Sequence, residues 1–154
     1  MGIFIHPKYT LDRSDNDIAI LKLGDGPVLS SCLSLAEEVE DVSLTARRFD
    51  VVTTALGPSG TKSHRTTKIT SHAYCQRKFE GLTITELEVC AHIPTDSPAL
   101  MGSALVGRNM ENGTEAWKLL GISTHGLAES NPHMPTLFTL ISAYRKWIEE
   151  IINL

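Results

Sequence analysis

Asn16-Asp17-Ile18-Ala19-Ile20-Leu21 runs an Asn-Asp pair straight into an apolar segment. A carboxylate at the mouth of a strand stands where an acid can orient a partner, often a histidine. The plainer reading is a strand that begins after a polar turn, and these six residues alone leave both open. Outward from them, Ile18 to Leu23 is followed by the turn signal Gly24-Asp25-Gly26-Pro27, and Val51 to Leu56 runs into Gly57-Pro58-Ser59-Gly60. Leu87 to Ala91, Ser103 to Val106, Lys118 to Ile122 and Leu137 to Ile141 are further apolar runs of strand length. Short runs at this spacing, with Gly, Pro and Asn between them, predict an all-β sandwich or barrel.

The C-terminus follows a different period. Ser142 is the expected N-cap of a helix, and Tyr144, Trp147, Ile148, Ile151 and Ile152 fall at i, i+3, i+4, i+7 and i+8. That pattern predicts a terminal helix docked on a β body by an aromatic stripe. A second, short helix is expected around Ser71 to Phe79.

Composition narrows the class. The chain of 154 residues is 42% hydrophobic and 21% charged, ordinary for one globular domain. A formal charge of -4 argues against a nucleic-acid partner, which needs a basic stripe. No apolar run approaches the ~20 residues that span a bilayer, so no membrane segment is expected. Met1 to Leu11 lacks a basic start and is broken by His6-Pro7, so it does not read as a signal peptide. Cys32, Cys75 and Cys90 are an odd number, which leaves at least one thiol unpaired within the chain. Asn112-Gly113-Thr114 is a possible glycosylation site, or simply a polar turn.

Taken in order over Ile5 to Asn153, these pieces resemble the C-terminal two-thirds of a trypsin-like, chymotrypsin-fold serine protease domain. Ile5-His6-Pro7-Lys8-Tyr9 followed by Asp15-Asn16-Asp17-Ile18-Ala19-Ile20-Leu21 looks like the family's aspartate segment. Trp117-Lys118-Leu119-Leu120-Gly121-Ile122 is similar to its Trp-x-Leu-x-Gly-Ile strand. Pro135-Thr136-Leu137-Phe138-Thr139 through Tyr144-Arg145-Lys146-Trp147-Ile148 resembles its closing strand and helix. The resemblance implies an all-β fold: a chymotrypsin-like antiparallel β-barrel with a C-terminal α-helix, the second barrel complete and the first partial. It implies residues 1–30 at the end of the first barrel, 31–141 in the second, and 142–154 in the helix. It also implies a Cys75–Cys90 disulfide, a secreted, extracellular setting, and no cofactor. Cys32 matches the family cysteine that tethers an upstream region. Most of the first barrel is expected to be missing, and with it the family's catalytic histidine; no histidine here is followed by cysteine. Exposed sheet edges would then predict poor solubility for the isolated chain.

Asp17 matches the triad aspartate. For the nucleophile two registers compete. In one, Ala99-Leu100-Met101-Gly102-Ser103-Ala104 occupies the family's Gly-Asp-Ser-Gly-Gly-Pro, which puts Met101 at the serine. In the other, Asp96-Ser97-Pro98 does, and Ser97 is the nucleophile. The family interposes a pocket wall between its second disulfide cysteine and its serine. Eleven positions separate Cys90 from Met101 and seven separate it from Ser97, so spacing favours Met101. Proline after Ser97 also fixes φ where the family has glycine. In the Met101 register, Thr95, Thr124, His125, Gly126 and Thr136 match the substrate pocket, and Leu100 replaces the aspartate that pairs with the new N-terminus on activation.

The reading that follows is a catalytically inactive homologue, a pseudoprotease that binds a protein partner or protease of an extracellular proteolytic or immune cascade. One alternative is an active serine endopeptidase using Asp17, Ser97 and a histidine encoded upstream. Another is a zinc-binding β domain, because His72-x-x-Cys75 and Cys90-x-His92 offer zinc-like ligands.

Overall fold

A computed structural model of the chain describes residues 1–24, 32–37, 50–56, 62–92, 101–111, 113–125 and 134–153, with the side chains of 50–56, 62–65, 109–111 and 125 set aside. The strands are β1 (Gly2–Ile5), β2 (Ala19–Lys22), β3 (Ser34–Leu35), β4 (Asp50–Leu56), β5 (Lys62–Thr66), β6 (Lys68–Ile69), β7 (Glu88–His92), β8 (Ala104–Glu111), β9 (Thr114–His125) and β10 (Thr136–Leu140). The helices are α1 (His72–Lys78) and α2 (Ile141–Ile152). Every strand-length run singled out in the sequence falls on a strand.

β1 and β2 form a two-stranded antiparallel ribbon. The larger sheet follows the order β5-β4-β8-β9-β10-β7-β6, with β3 added parallel to β9. Its two ends are consecutive in the chain, separated by Thr67 alone. The path therefore returns to its start through the covalent chain, the form of a barrel. Thr67 is buried at that bend and its hydroxyl donates to the His92 carbonyl at 2.5 Å, tying the bend to β7.

β10 is the strand on which two apolar groups converge. All five of its residues are buried, as expected for a strand covered on both faces. Phe138 and Leu140 point into the barrel with Val89, Ala91, Leu105 and Leu120. Leu137 points outward, where Cys75, Phe79, Ile84 and Cys90 cover it. Gly121 on β9 lies beneath it, and a Cβ there would come within 3.0 Å of Phe138 Cβ and 3.1 Å of the Thr139 carbonyl.

The helices start for different reasons. Ser71 caps α1 by accepting from the Tyr74 N–H at 3.2 Å, and Arg77 and Lys78 oppose the dipole in its last turn. α2 has no such cap. Ser142, the expected cap, lies buried in the first turn, and Leu140 takes the capping position without a side-chain bond. The cause is the strand: β10 runs into α2 with no intervening loop, and the Leu140 N–H is already given to the Leu87 carbonyl at 2.9 Å. The stripe also ends one residue early. Ile141, Tyr144 and Ile148 are buried against Ile18, whereas Ile152 is 64% exposed.

Tyr144 carries the joint between ribbon and helix. Its hydroxyl oxygen accepts from the Asn16 N–H at 2.9 Å across 128 positions of sequence. Asn16 sits at φ 61, a left-handed conformation that asparagine tolerates better than most residues. His6 stands edge-on to Tyr144 and Trp147, with ring centroids 5.2 and 5.0 Å away. On the ribbon, cross-strand partners Phe4 and Ile20 face inward, while Ile3 and Leu21, also partners, are exposed.

Two outcomes test this account. Tyr144→Phe leaves the buried Asn16 N–H unsatisfied and is expected to cost about 1–3 kcal/mol in denaturant unfolding. Burial pushes the Tyr144 hydroxyl up from 10.0 to about 12, so the fold holds this proton more tightly than the unfolded chain does. Its stabilisation is complete below pH 10 and lost as pH rises to about 12, and the Phe variant should lack that alkaline loss. Gly121→Ala forces β9 and β10 apart and should destabilise by about 1–3 kcal/mol on thermal unfolding.

Candidate functional site

The turn that delivers Asp17 is built from charge. Arg13 Nε and Nη2 each reach one oxygen of Asp15 at 2.7 Å, a two-pronged pair. Asp15 is 5% exposed, so the buried acid of this segment is Asp15. Asp17 is half-buried. The reason is the left-handed Asn16 between them, which turns the chain so that successive carboxylates leave in different directions. The Asp17 carbonyl accepts from the Thr139 hydroxyl at 2.9 Å, and this fastens the turn to β10.

Beside Asp17 lies a cleft of about 200 Å³ lined by Tyr9, Leu11, Asp12, Arg13, Ser14, Asp17, Leu82 and Thr124. Thr124 arrives there through a β-bulge. Leu137 pairs with His125 and Phe138 pairs with Ser123, which leaves Thr124 as the extra residue of β9. Bulges bend a strand and re-aim a side chain, commonly at functional clefts. The Thr124 hydroxyl donates to the Leu137 carbonyl at 3.5 Å.

Met101 stands in the turn that feeds β8 and is 77% exposed. The next residue anchors this turn: the Gly102 N–H donates to the Ser123 carbonyl at 2.8 Å, at a φ of +82 that strains any side chain. Ser103 completes the tie through its N–H to Ser123 Oγ at 2.9 Å. The start of β8 is thus held one position from Thr124.

The remaining expected site residues divide in three. Thr136 is buried at the start of β10, paired with Ala91, and does not line the cleft. His125 ends β9 opposite Leu137. Thr95, Ser97, Gly126 and Asn112 lie outside the described residues. The structure therefore brings Asp17 and Thr124 together in one cleft.

Cys75 and Cys90 form a disulfide that ties α1 to β7, and Cys32 is a free, exposed thiol. This bond engages both sulfurs of the His72-x-x-Cys75 and Cys90-x-His92 set. Among the described residues no three His, Cys, Asp or Glu side chains are arranged to hold a metal.

Tyr9, Asp12, Arg13 and Leu82 were not anticipated in the site. The i, i+2 spacing of Arg13 and Asp15 was the available signal for the turn; Leu82 had none, because it reaches the cleft from a loop distant in sequence. Asp12 is held below the usual carboxylate range, first by a hydrogen bond from the Thr10 side chain. Arg13 is raised, chiefly by its hydrogen bond to Asp15.

A trypsin family model matches residues 1–148, and the chain belongs to the trypsin-like serine protease family. Chymotrypsin-C of Bos taurus is 29% identical over 162 residues, covering 99% of this chain and 60% of the relative. Chymotrypsin-C of Rattus norvegicus is 30% identical with the same coverage. The chain spans about 60% of the length of these relatives. Kallikrein-related peptidase 10, a solved structure, overlays with a TM-score of 0.75 at 22% identity, covering 99% of this chain and 71% of that one. That likeness is one of fold, the chymotrypsin-like β-barrel with a C-terminal helix.

Thr139→Val keeps the shape of a fully buried side chain but removes the donor beneath Asp17. It is expected to destabilise by about 1–3 kcal/mol and to speed amide exchange in the 15–18 turn, read by hydrogen–deuterium exchange.

Proposed function

We propose that this chain, as a trypsin-like family member, is a non-catalytic homologue that binds a protein through the cleft beside Asp17 without cleaving it. Met101 carries the reading. In the register that spacing favours, it occupies the position of the family's nucleophile, and a thioether has no proton to give a base and no hydroxyl to acylate.

The anchoring of the neighbouring turn supports that register. Gly102 and Ser103 are bonded to Ser123, and β8 continues in step with β9 from Ala104 opposite Ile122. A register with Ser97 as nucleophile would place four residues, 98–101, between it and the anchored Gly102. The family motif has glycine directly after its serine, as Gly102 directly follows Met101. Leu100 and Thr136 point the same way: the first removes the activation carboxylate, and the second puts a branched side chain where the family has glycine. The Cys75–Cys90 disulfide supports an oxidising, extracellular setting, where a partner would belong to a proteolytic or immune cascade.

A serine-directed phosphonate probe applied to the full-length, processed protein should leave it unlabelled. Labelling that Ser97→Ala abolishes would overturn the reading in favour of an active endopeptidase.

A further inference from the structure

We infer that the outward face of the β1–β2 ribbon is an interface between two copies of this chain. The surface is separate from the cleft, since none of its residues lines it.

Cross-strand partners in an antiparallel pair share one face of the sheet. Ile3 pairs with Leu21 and Ile5 with Ala19, and all four are exposed. Their alternation continues to Met1 and Leu23, just beyond the paired stretch. Met1 is 89% exposed, Ile3 and Ile5 61% each, Leu21 60% and Leu23 72%. None of these six residues carries a polar or charged side chain. The charged residue of the ribbon, Lys22, pairs with Gly2 in the opposite set. A sheet that packs one face and wets the other places polar residues on the wet side, and this ribbon does not.

Area and chemistry together select the partner. With about 100 Å² open on each of the five large side chains, the face offers about 500 Å² of apolar surface. That is as large a patch as a monomer commonly leaves to solvent. Two copies face to face would bury about 1,000 Å², where specific interfaces begin. The face holds no charge for a partner chosen by electrostatics to meet, and no lysine or arginine for a lipid surface to engage. A second copy answers it in kind. A two-fold axis along the ribbon lays β1 of one copy over β2 of the other, so that Ile3 meets Leu21 twice. A dimer of this form carries two clefts, and no residue joining the copies belongs to either.

The test is sedimentation equilibrium of the full chain with the exposed Cys32 thiol alkylated, so that copies cannot join through sulfur. A dimer is expected at micromolar concentration. Leu21→Glu puts a charge at the centre of the face and should weaken the dimer about tenfold or more. Ile3→Thr combined with Leu21→Thr should weaken it too, and threonine's preference for strands guards against a variant that fails to fold. Ile152→Glu, at a comparably exposed apolar position on α2, should leave the dimer unchanged. A monomer overturns the inference, as does a dimer that Leu21→Glu and the threonine pair leave intact. Equal weakening by Ile152→Glu reports unspecific apolar contact and overturns it. Association that continues past the dimer reports exposed strand edges and overturns it as well.

Discussion

The hydrogen bond from the Asn16 N–H to the Tyr144 hydroxyl governs how the two parts of this chain meet. It spans nearly the whole sequence, and it is buried, so its donor has no water to turn to if the tyrosine is lost. It also selects a left-handed residue at Asn16, and that residue sets where Asp15 and Asp17 go. Asp15 turns inward to Arg13, and Asp17 turns toward the cleft. Position in the site is thus settled by a contact with the terminal helix, far from the cleft in sequence.

β10 transmits that constraint. It packs the barrel core with Phe138, meets the disulfide region with Leu137, and grips the Asp17 carbonyl with Thr139. Since it passes directly into α2, the helix that holds Tyr144 has no loop with which to adjust. Strand register and helix position are one quantity, which explains why Leu140 starts the helix and Ser142 does not.

Much of this was legible in the sequence because it depends on local pattern. The short helix around Ser71 to Phe79, the strand-length apolar runs and the helical stripe of Tyr144 and Ile148 all follow from pattern along the chain. The ordered family matches added the Cys75–Cys90 pairing, which no local rule supplies. What escaped depends on contacts across the chain. The bulge at Thr124 exists only as a mismatch between two strands, and the burial of Asp15 in place of Asp17 needs Tyr144 to be in place. Ile152 fits the helical period yet is left 64% exposed, outside the cluster that Ile141, Tyr144 and Ile148 form with Ile18.

The bond beneath Asp17 has a further consequence for how such a chain can change over time. Thr139 holds the main-chain carbonyl of Asp17, so this tie does not depend on which side chain residue 17 carries. A bond of this kind separates address from occupant. The same separation holds across the cleft, where Gly102 and Ser103 are secured through their main-chain N–H groups beside an exposed Met101. A barrel whose cleft is assembled from backbone contacts can give up one chemistry and take on another without refolding.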